Sequence, residues 1–290
     1  DLLYGRGAAD MKGSIAAFLE SLDEFFATSP NLNFRIAILL TSNEEGDAVD
    51  GFIDKIVDDM IERDERIDLC LVGEPTSYEK IGDSVRIGRR GSLGGSLKIL
   101  GKQGHIAYPE NVNNPIFSAS DVIVELKNTV WDNGNAIFQP TSFQISNIHS
   151  GTGAKNVVPG ELDMFFNFRY STESTQETLV DEFESILKKL NIEYEINWRL
   201  SGLPYLTTED NLKDVVVKSI ENIAGYTPDL NAKGGTSDGR FVAKMGTEIV
   251  ELGPLNDTIH QIDEHIKISE LWTLKNIYTD ILKGLNSKLS

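Results

Sequence analysis

Cysteine is nearly absent from this chain of 290 residues, in which Cys70 is the only one. A single cysteine excludes an intrachain disulfide and fits a reducing compartment, so we expect a cytoplasmic protein. Cys70 lies in the apolar run of residues 67–72, where we expect a buried, unreactive thiol rather than a nucleophile. Long hydrophobic runs are also missing. None is longer than the run at residues 36–40, which is far shorter than the roughly 20 residues that a membrane-spanning helix needs.

Positive charge is scarce as well. The chain carries 27 lysines and arginines against 45 aspartates and glutamates, which gives a formal net charge of −18. Because a nucleic-acid-binding protein needs a basic face, we do not expect this class. The acidity itself is typical of a well-solvated surface. The composition, 40% hydrophobic and 25% charged, is that of globular domains, and the length allows about two domains of roughly 150 residues each.

Helices alternate with short apolar strands at both ends of the chain, which predicts an α/β domain with a mostly parallel sheet. This domain comprises residues 1–90 and 205–290. Its predicted elements are a helix at 13–27, a strand at 35–41, a helix through residues 53–60, a strand at 67–72, a helix at 209–224 that ends at Gly225, a strand at 247–252 and a helix at 269–284.

The middle of the chain, residues 91–204, has a different pattern and predicts a smaller α+β insert of the ferredoxin-like βαββαβ type. Its predicted elements are a strand from Gly91, a helix at 115–130 capped by Asn114, strands at 141–148 and 161–170, a helix at 174–190 with a capping box of Ser174 and Glu177, and a strand at 192–200. Exposed strand edges in such an insert favour pairing with a second copy, as a two-fold dimer.

Four acidic residues and a histidine lie where strands end and loops begin. They are Asp10, Glu44, Glu45, Glu74 and His260. Open α/β sheets place their sites at such positions. Each residue alone is also explained as a helix cap or an acidic loop residue. Together, carboxylates and an imidazole are a suitable ligand set for zinc, manganese or cobalt.

The adjacent pair Glu44 and Glu45 suggests a division of labour. Neighbouring side chains on an extended segment point in opposite directions, so one carboxylate can bind a metal while the other faces a metal-bound water. The second carboxylate can then take a proton from that water, whose pKa the metal has lowered.

Three further features suit an acidic substrate, although each has a plainer explanation. The glycine-rich segment 233–240 lacks the phosphate-loop order, so it is either a tight turn or a set of backbone N–H groups for a carboxylate. Arg89 and Arg169 carry planar guanidinium groups that match carboxylates, but Arg169 also fits a solvated strand end. His105 lies in a glycine-flanked loop and is weakly informative alone.

Taken together, several motifs resemble those of the M20 family of dinuclear zinc amidohydrolases. The motifs are residues 5–13, 41–46, 73–75, 104–105 and 235–240, followed by His260. The resemblance implies a zinc-peptidase-like catalytic domain interrupted by a dimerisation or lid domain. Residues 88–92, 147–153 and 168–170 resemble members that act on small N-succinyl amino acids. A sibling deacylase or dipeptidase is the alternative.

The resemblance also implies residue roles. Asp10 would bridge two zinc ions, for which cobalt can substitute, with Glu74 on one ion and Glu45 and His260 on the other. Glu44 would be the general base, and His105 would polarise the scissile carbonyl from the partner subunit of a homodimer. The residues implied in substrate binding are Arg89, Tyr108, Asn156, Arg169, Gly235, Thr236 and Asn256. No nucleic acid or membrane partner is implied.

One implied zinc ligand has no match in this sequence. The family places a histidine in an H-x-D motif upstream of Asp10, and none of the four histidines, His105, His149, His260 and His265, begins such a motif. The chain starts at Asp1, without an initiator methionine or a signal-peptide pattern. We therefore expect an N-terminally incomplete catalytic domain that holds at most one zinc tightly. The alternative for such a chain is a non-catalytic metal-binding or dimerising fragment.

Overall fold

The computed structural model describes residues 1–29, 31–41 and 52–289, and the chain forms two compact units. The first unit contains Asp1–Arg89 and Tyr205–Ser290, and the second contains Arg90–Pro204. The boundary predicted from the sequence begins the insert one residue later, at residue 91. Within the described ranges, no helix combines the length and the apolar composition that crossing a membrane requires.

The elements alternate along the chain as follows. The first unit begins with β1 (Leu2–Tyr4), α1 (Gly13–Thr28), α2 (Phe52–Glu62), β2 (Leu69–Val72), β3 (Ser84–Arg86) and β4 (Gly88–Arg89). The second unit contains β5 (Gly91–Leu100), β6 (Gly104–His105), α3 (Pro115–Asn128), β7 (Ser142–Ser150), β8 (Val157–Val158), β9 (Glu161–Tyr170), α4 (Gln176–Lys189) and β10 (Tyr194–Gly202). The first unit then continues with β11 (Tyr205–Leu206), α5 (Asn211–Ala224), β12 (Asp229–Asn231), α6 (Gly239–Val242), β13 (Glu248–Glu251), β14 (His265–Lys267) and α7 (Ile268–Lys288).

A four-stranded sheet in the order β12-β3-β13-β2 forms the centre of the first unit. β12 is parallel to β3 and β13 is parallel to β2, whereas β13 and β3 are antiparallel. Every residue of β13 is buried, as expected for a strand covered on both faces. The predicted mostly parallel sheet is confirmed. Because β2 and β13 run in the same direction, the loops that follow them leave the sheet at the same edge.

Helix α1 lies against the C-terminal helix α7. Its buried residues Ala17, Ser21 and Phe25 recur four apart, which places them on one face of a helix with 3.6 residues per turn. Phe18 stacks on Tyr278 of α7 with the ring centroids 4.1 Å apart. The helix predicted at 13–27 is therefore confirmed, and it anchors the loop that precedes it.

The strand predicted at residues 35–41 is wrong, because the structure has no strand there. Ile38, Leu39 and Leu40 are 52%, 45% and 58% exposed. A strand needs a neighbour for its backbone hydrogen bonds, and none of the described strands pairs with this segment. Apolar composition favours a strand but does not supply that neighbour.

The second unit has the predicted ferredoxin-like fold. Its sheet has the order β10-β5-β9-β7, and all neighbouring strands are antiparallel. The core contains Phe166 and Phe168 of β9 and Phe183 of α4, and the rings of Phe166 and Phe183 stack with centroids 4.6 Å apart. Alternating apolar residues along β9 form this core, since every second side chain of a strand points to the same face.

Of the three helix ends predicted from the sequence, the structure confirms two and corrects one. Asn114 caps α3 by accepting a hydrogen bond from the backbone N–H of Ile116 at 3.0 Å, and Gly225 ends α5 in the left-handed conformation at φ 81°. For α4 the predicted capping box of Ser174 and Glu177 is wrong. Thr175 and Thr178 form it instead, because the Ser174 hydroxyl donates to Asp132 at 2.7 Å.

Candidate metal centre and substrate site

Asp10 lies at the end of a loop that a buried carboxylate holds in place. The carboxylate of Glu264 accepts hydrogen bonds from the backbone N–H groups of Gly7, Ala9 and Asp10, at 2.9, 2.9 and 3.0 Å. Burial would raise the pKa of Glu264, but these three bonds, with the charge of Arg6, lower it below its ordinary value. Sequence reasoning missed Glu264, which is a single acid in a loop already rich in acids.

His260 meets Asp10 across this loop. The imidazole Nε2 lies 3.1 Å from Asp10 Oδ2. Zinc binds histidine nitrogen and carboxylate oxygen at about 2.0–2.2 Å, so two ligand atoms at this separation fit one ion. His260 has a left-handed backbone at φ 58°, in the loop that follows β13. The structure therefore brings together two of the predicted metal ligands.

Glu74 follows β2 at the same edge of the sheet, next to a glycine that approaches it closely. A Cβ at Gly253 would lie 2.3 Å from the carbonyl oxygen of Glu74, so only glycine fits there. Within residues 1–29, 31–41 and 52–289, no three side chains of His, Cys, Asp or Glu are grouped as a metal site. The predicted residues Glu44 and Glu45 lie outside the described residues.

Arg89, predicted to bind a substrate carboxylate, is buried and already engaged. Its Nε donates to Glu251 Oε2 at 2.9 Å and its Nη2 pairs with the same oxygen. Its Nη1 donates to the carbonyl oxygens of Lys233 and Gly235, at 3.3 and 3.1 Å. Burial would lower the pKa of Arg89, but Glu251 raises it above its ordinary value. The Arg89 guanidinium, which the sequence assigns to a substrate carboxylate, is therefore occupied by Glu251. Sequence reasoning missed Glu251.

The other predicted substrate residues of the first unit lie on loops. Gly235 contacts Arg89 through its carbonyl oxygen and is exposed, and Thr236 beside it is half-buried. Asn256 is half-buried and is fixed by its backbone N–H, which donates to the carbonyl oxygen of Ser77 at 3.0 Å.

In the second unit the structure brings His105, Tyr108 and Asn156 together. β6 pairs with β8, and the backbone N–H of Ile106 donates to the carbonyl oxygen of Asn156 at 3.2 Å. The rings of His105 and Tyr108 lie with centroids 5.8 Å apart. The backbone N–H of Ala107 donates to His105 Nδ1 at 3.1 Å. An acceptor Nδ1 places the ring proton on Nε2, which leaves Nε2–H to donate elsewhere.

Arg169 lies near the end of β9, where its backbone is in register with Ser92 of β5 and Ser142 of β7. The residue is half-buried. This placement agrees with the strand-end position expected from the sequence, and its role in substrate binding stays a prediction.

An α/β unit with a carboxylate–imidazole pair in its loops, interrupted by a ferredoxin-like unit, suits a metal-dependent hydrolase. A family model described as "Peptidase family M20/M25/M40" matches residues 1–284, and the chain belongs to this family.

Curated relatives cover nearly the whole chain. A succinyl-diaminopimelate desuccinylase of Methylococcus capsulatus is 53% identical over 283 residues, which are 98% of this chain and 75% of the relative. Proteins of the same name from Nitrosospira multiformis and Acinetobacter baumannii have the same identity and coverage.

Solved structures support the fold. A tripeptidase from Staphylococcus aureus matches with a TM-score of 0.76 at 22% identity, covering 97% of this chain and 72% of that one. An M20 family metallo-carboxypeptidase from Sulfolobus solfataricus matches with a TM-score of 0.75 at 17% identity, covering 99% of this chain and 78% of that one.

Proposed function

We propose that this protein is a metal-dependent amidohydrolase that cleaves N-succinyl-LL-2,6-diaminopimelate to succinate and LL-2,6-diaminopimelate, a step of bacterial lysine and diaminopimelate biosynthesis. The observation that carries the proposal is the 53% identity, over 98% of the chain, to relatives named for this activity. The pairing of Asp10 with His260 supports it, because it joins two of the side chains that such chemistry needs.

The metal in this proposal is zinc, with cobalt as a substitute. Asp10 and His260 have the spacing for one ion, and Glu45 and Glu74 are the further ligands implied by the resemblance. A bound divalent ion supplies Lewis-acid polarisation of the amide carbonyl and a water of lowered pKa. The predicted ligands are oxygen and nitrogen donors. Such donors suit zinc or cobalt, whereas soft metals prefer sulfur ligands.

The chain's own residues then divide the work. Glu44 takes a proton from the attacking water and gives it to the departing amine, as a general base and then a general acid. In the active site of the partner subunit, the Nε2–H of His105 donates a hydrogen bond to the oxygen that gains charge as water attacks, a stabilisation felt mainly in the transition state. The Ala107 N–H, by occupying Nδ1, supports that donor role.

Acidic-substrate recognition is the second part of the proposal. With a net charge of −18, the protein as a whole repels a substrate that carries several carboxylates. Local donors must overcome this repulsion: Arg169, the backbone of Gly235 and Thr236, and Tyr108, Asn156 and Asn256 in supporting positions. We place the protein in the cytoplasm as a homodimer, with residues 91–204 as its dimerisation and lid domain.

The deciding experiment is a substrate panel on the zinc-loaded protein. N-succinyl-LL-diaminopimelate, N-acetylornithine and a neutral dipeptide are compared by kcat/KM, with the Glu44→Gln variant as the inactive control. We expect the succinylated substrate to be turned over most efficiently and a chelator to abolish turnover. A higher kcat/KM for either of the other two substrates would transfer the assignment to a sibling deacylase or dipeptidase. No turnover of any substrate by the zinc-loaded chain would indicate a non-catalytic fragment.

A further inference from the structure

Glu251 lies at the end of the central strand β13 and is completely buried, with 0% exposure. Both of its carboxylate oxygens are bonded. Oε2 accepts from Nε and Nη2 of Arg89. Oε1 accepts from the hydroxyl of Tyr205 at 2.6 Å and from the hydroxyl of Ser237. A buried carboxylate is stable only when it is paired and hydrogen-bonded, and Glu251 meets both conditions.

These partners connect Glu251 to the glycine-rich loop of residues 233–238. Ser237 belongs to the loop itself. Arg89 reaches the loop at two other points, the carbonyl oxygens of Lys233 and Gly235. Gly234 lies between them at φ 99°, and a Cβ there would lie 2.8 Å from Arg89 Nη1. Arg89 therefore packs directly beneath the loop, at a position that only a glycine backbone leaves open.

The direction of the two carbonyl groups determines what the loop presents on its other side. In a trans peptide the C=O and the following N–H point in opposite directions. Because the carbonyl oxygens of Lys233 and Gly235 point to Arg89, the N–H groups of Gly234 and Thr236 point away from it. Gly234 and Gly235 are exposed, so this side of the loop is open to an anionic group.

We propose that Glu251 is a positioning residue for substrate binding: through Arg89 and Ser237 it holds the 233–238 loop with its N–H groups turned towards the substrate carboxylate. In this arrangement Arg89 acts on the loop and not on the substrate. The identity of the substrate in this inference rests on the proposed function. The structural part of the inference, that the loop depends on Glu251, rests only on the contacts described above.

The same strand provides a matched control. Glu248 is also a buried glutamate of β13, but its Oε1 accepts the backbone N–H groups of Leu212 and Lys213 at the start of α5, away from the loop. Glu251→Gln and Glu248→Gln therefore remove the same charge from the same strand. Only the first removes the partner of Arg89.

Amide hydrogen exchange of the free protein tests the structural part. We expect exchange of the Lys233 amide, whose N–H donates to Asn231 Oδ1 at 3.1 Å at the start of the loop, to rise about tenfold in Glu251→Gln and to stay unchanged in Glu248→Gln. Ser237→Ala removes one hydrogen bond to the same carboxylate and should show a smaller rise in the exchange rate. It replaces Glu251→Gln as the test variant if Glu251→Gln fails to fold. Unchanged exchange of the loop in the folded variants would overturn the proposal.

Kinetics with the succinylated substrate test the functional part. We expect Glu251→Gln to raise KM about tenfold with kcat nearly unchanged, Arg89→Lys to do the same, and the double variant to be no worse than either single one, because both act through one network. If Arg89 instead bound the substrate, its loss would add to that of Glu251, and the proposal would be wrong. Failure of the wild type to hydrolyse the substrate would reject the proposed function, while the exchange experiment would still decide the role of Glu251.

Discussion

Glu264 accepts a hydrogen bond from the backbone N–H of Asp10 at 3.0 Å, and it follows His260 by four residues in the same loop. One carboxylate thus ties the segment that carries Asp10 to the segment that carries its imidazole partner. Two more N–H groups of the Asp10 loop, from Gly7 and Ala9, share this acceptor. The short separation between Asp10 and His260 is therefore set by the backbone of two loops as well as by the two side chains.

This relationship predicts that Glu264→Gln weakens zinc binding in the folded protein. The amide keeps the size of the side chain but loses the charge and one acceptor, so the Asp10 loop is held less well. Residues that orient ligands typically contribute about 10–100-fold in metal affinity, and we expect a loss of that size. Competition with a zinc chelator measures the affinity, and circular dichroism confirms folding. Glu20→Gln, a change at an exposed residue of α1, is the control. Equal zinc affinity in both variants would contradict the prediction.

The roles of the adjacent acids Glu44 and Glu45 can be separated by two matched variants. We expect Glu44→Gln to keep its zinc and to lose activity by at least about 10²–10⁴-fold, which is the usual contribution of general acid–base catalysis. Glu45→Gln should instead lose zinc, because an amide is a weaker ligand than a carboxylate. Metal analysis after dialysis and kcat on the same samples give the two readouts. If Glu44→Gln loses the zinc and Glu45→Gln keeps it, the two roles are reversed.

The fork of Arg169 is expected to matter more than its charge. Arg169→Lys keeps the positive charge but cannot bind a carboxylate through two parallel hydrogen bonds. We expect KM for the succinylated substrate to rise about tenfold, while an uncharged N-acyl analogue binds poorly to wild type and variant alike. Arg199→Lys, a change at an exposed residue of β10 in the same sheet, should leave KM unchanged. Equal turnover of the uncharged analogue and the succinylated substrate would point to a broad aminoacylase.

The fold of the insert could be predicted because β9 and most of β10 alternate between apolar and polar residues, and this alternation decides which face of the sheet is buried. The segment 35–41 could not, because a strand also depends on a neighbour that local sequence does not specify. The cap of α4 failed for a similar reason: Ser174 and Thr175 are both suitable caps, and the choice depends on Asp132, more than 40 residues away.

The same contrast holds in the candidate site. The pairing of Asp10 with His260 follows from recognisable motifs at strand ends. Glu251 and Glu264 belong to no catalytic pattern, and their importance comes from burial and from long-range hydrogen bonds. A signal for Glu251 does exist, since an acid directly after Ile249 and Val250 in an apolar strand needs a buried partner.

Asp132 is expected to stabilise the second unit in a pH-dependent way. Its carboxylate accepts hydrogen bonds from the N–H groups of Gly134 and Thr141 and from the hydroxyls of Thr141, Ser171 and Ser174. Burial would raise its pKa, but these bonds lower it from 3.8 to about 2. Asp132→Asn should lower the free energy of unfolding by about 1.5–3 kcal/mol at neutral pH, as the loss of hydrogen bonds to a charged group does.

The sign of the pH effect follows from the lowered pKa of Asp132. Since the folded state favours the carboxylate, the stabilisation is complete above the ordinary value of 3.8 and is lost as the pH falls towards about 2. Urea unfolding at several pH values should therefore show the difference between wild type and Asp132→Asn shrinking in acid. Asp121→Asn, an exposed change on α3, should show no difference at any pH. A difference that stays constant down to pH 2 would contradict the assignment.

The last prediction concerns a site shared between subunits. If His105 acts on the active site of the partner subunit, a dimer that combines one His105→Ala chain with one Glu44→Gln chain contains one site with both groups intact. Two nearly inactive variants should then recover activity when their subunits exchange, up to about half of the wild-type rate per hybrid dimer. This prediction depends on the tautomer of His105. Because Nδ1 accepts the hydrogen bond from the Ala107 N–H, the ring proton is on Nε2, where it can be donated to a developing oxyanion.

Hybrid dimers must be demonstrated independently, for example by two affinity tags purified in sequence. His149→Ala, which changes another histidine of the same unit, replaces His105→Ala in the control and should be active before mixing. Recovery that rises with the fraction of hybrid dimers supports the shared site, because each intact site needs one chain of each kind. Hybrid dimers without recovered activity would show that His105 acts within its own chain or takes no part in the reaction. A chain that stays monomeric at assay concentrations yet is fully active would reject the shared site outright, since no partner would be present to supply His105.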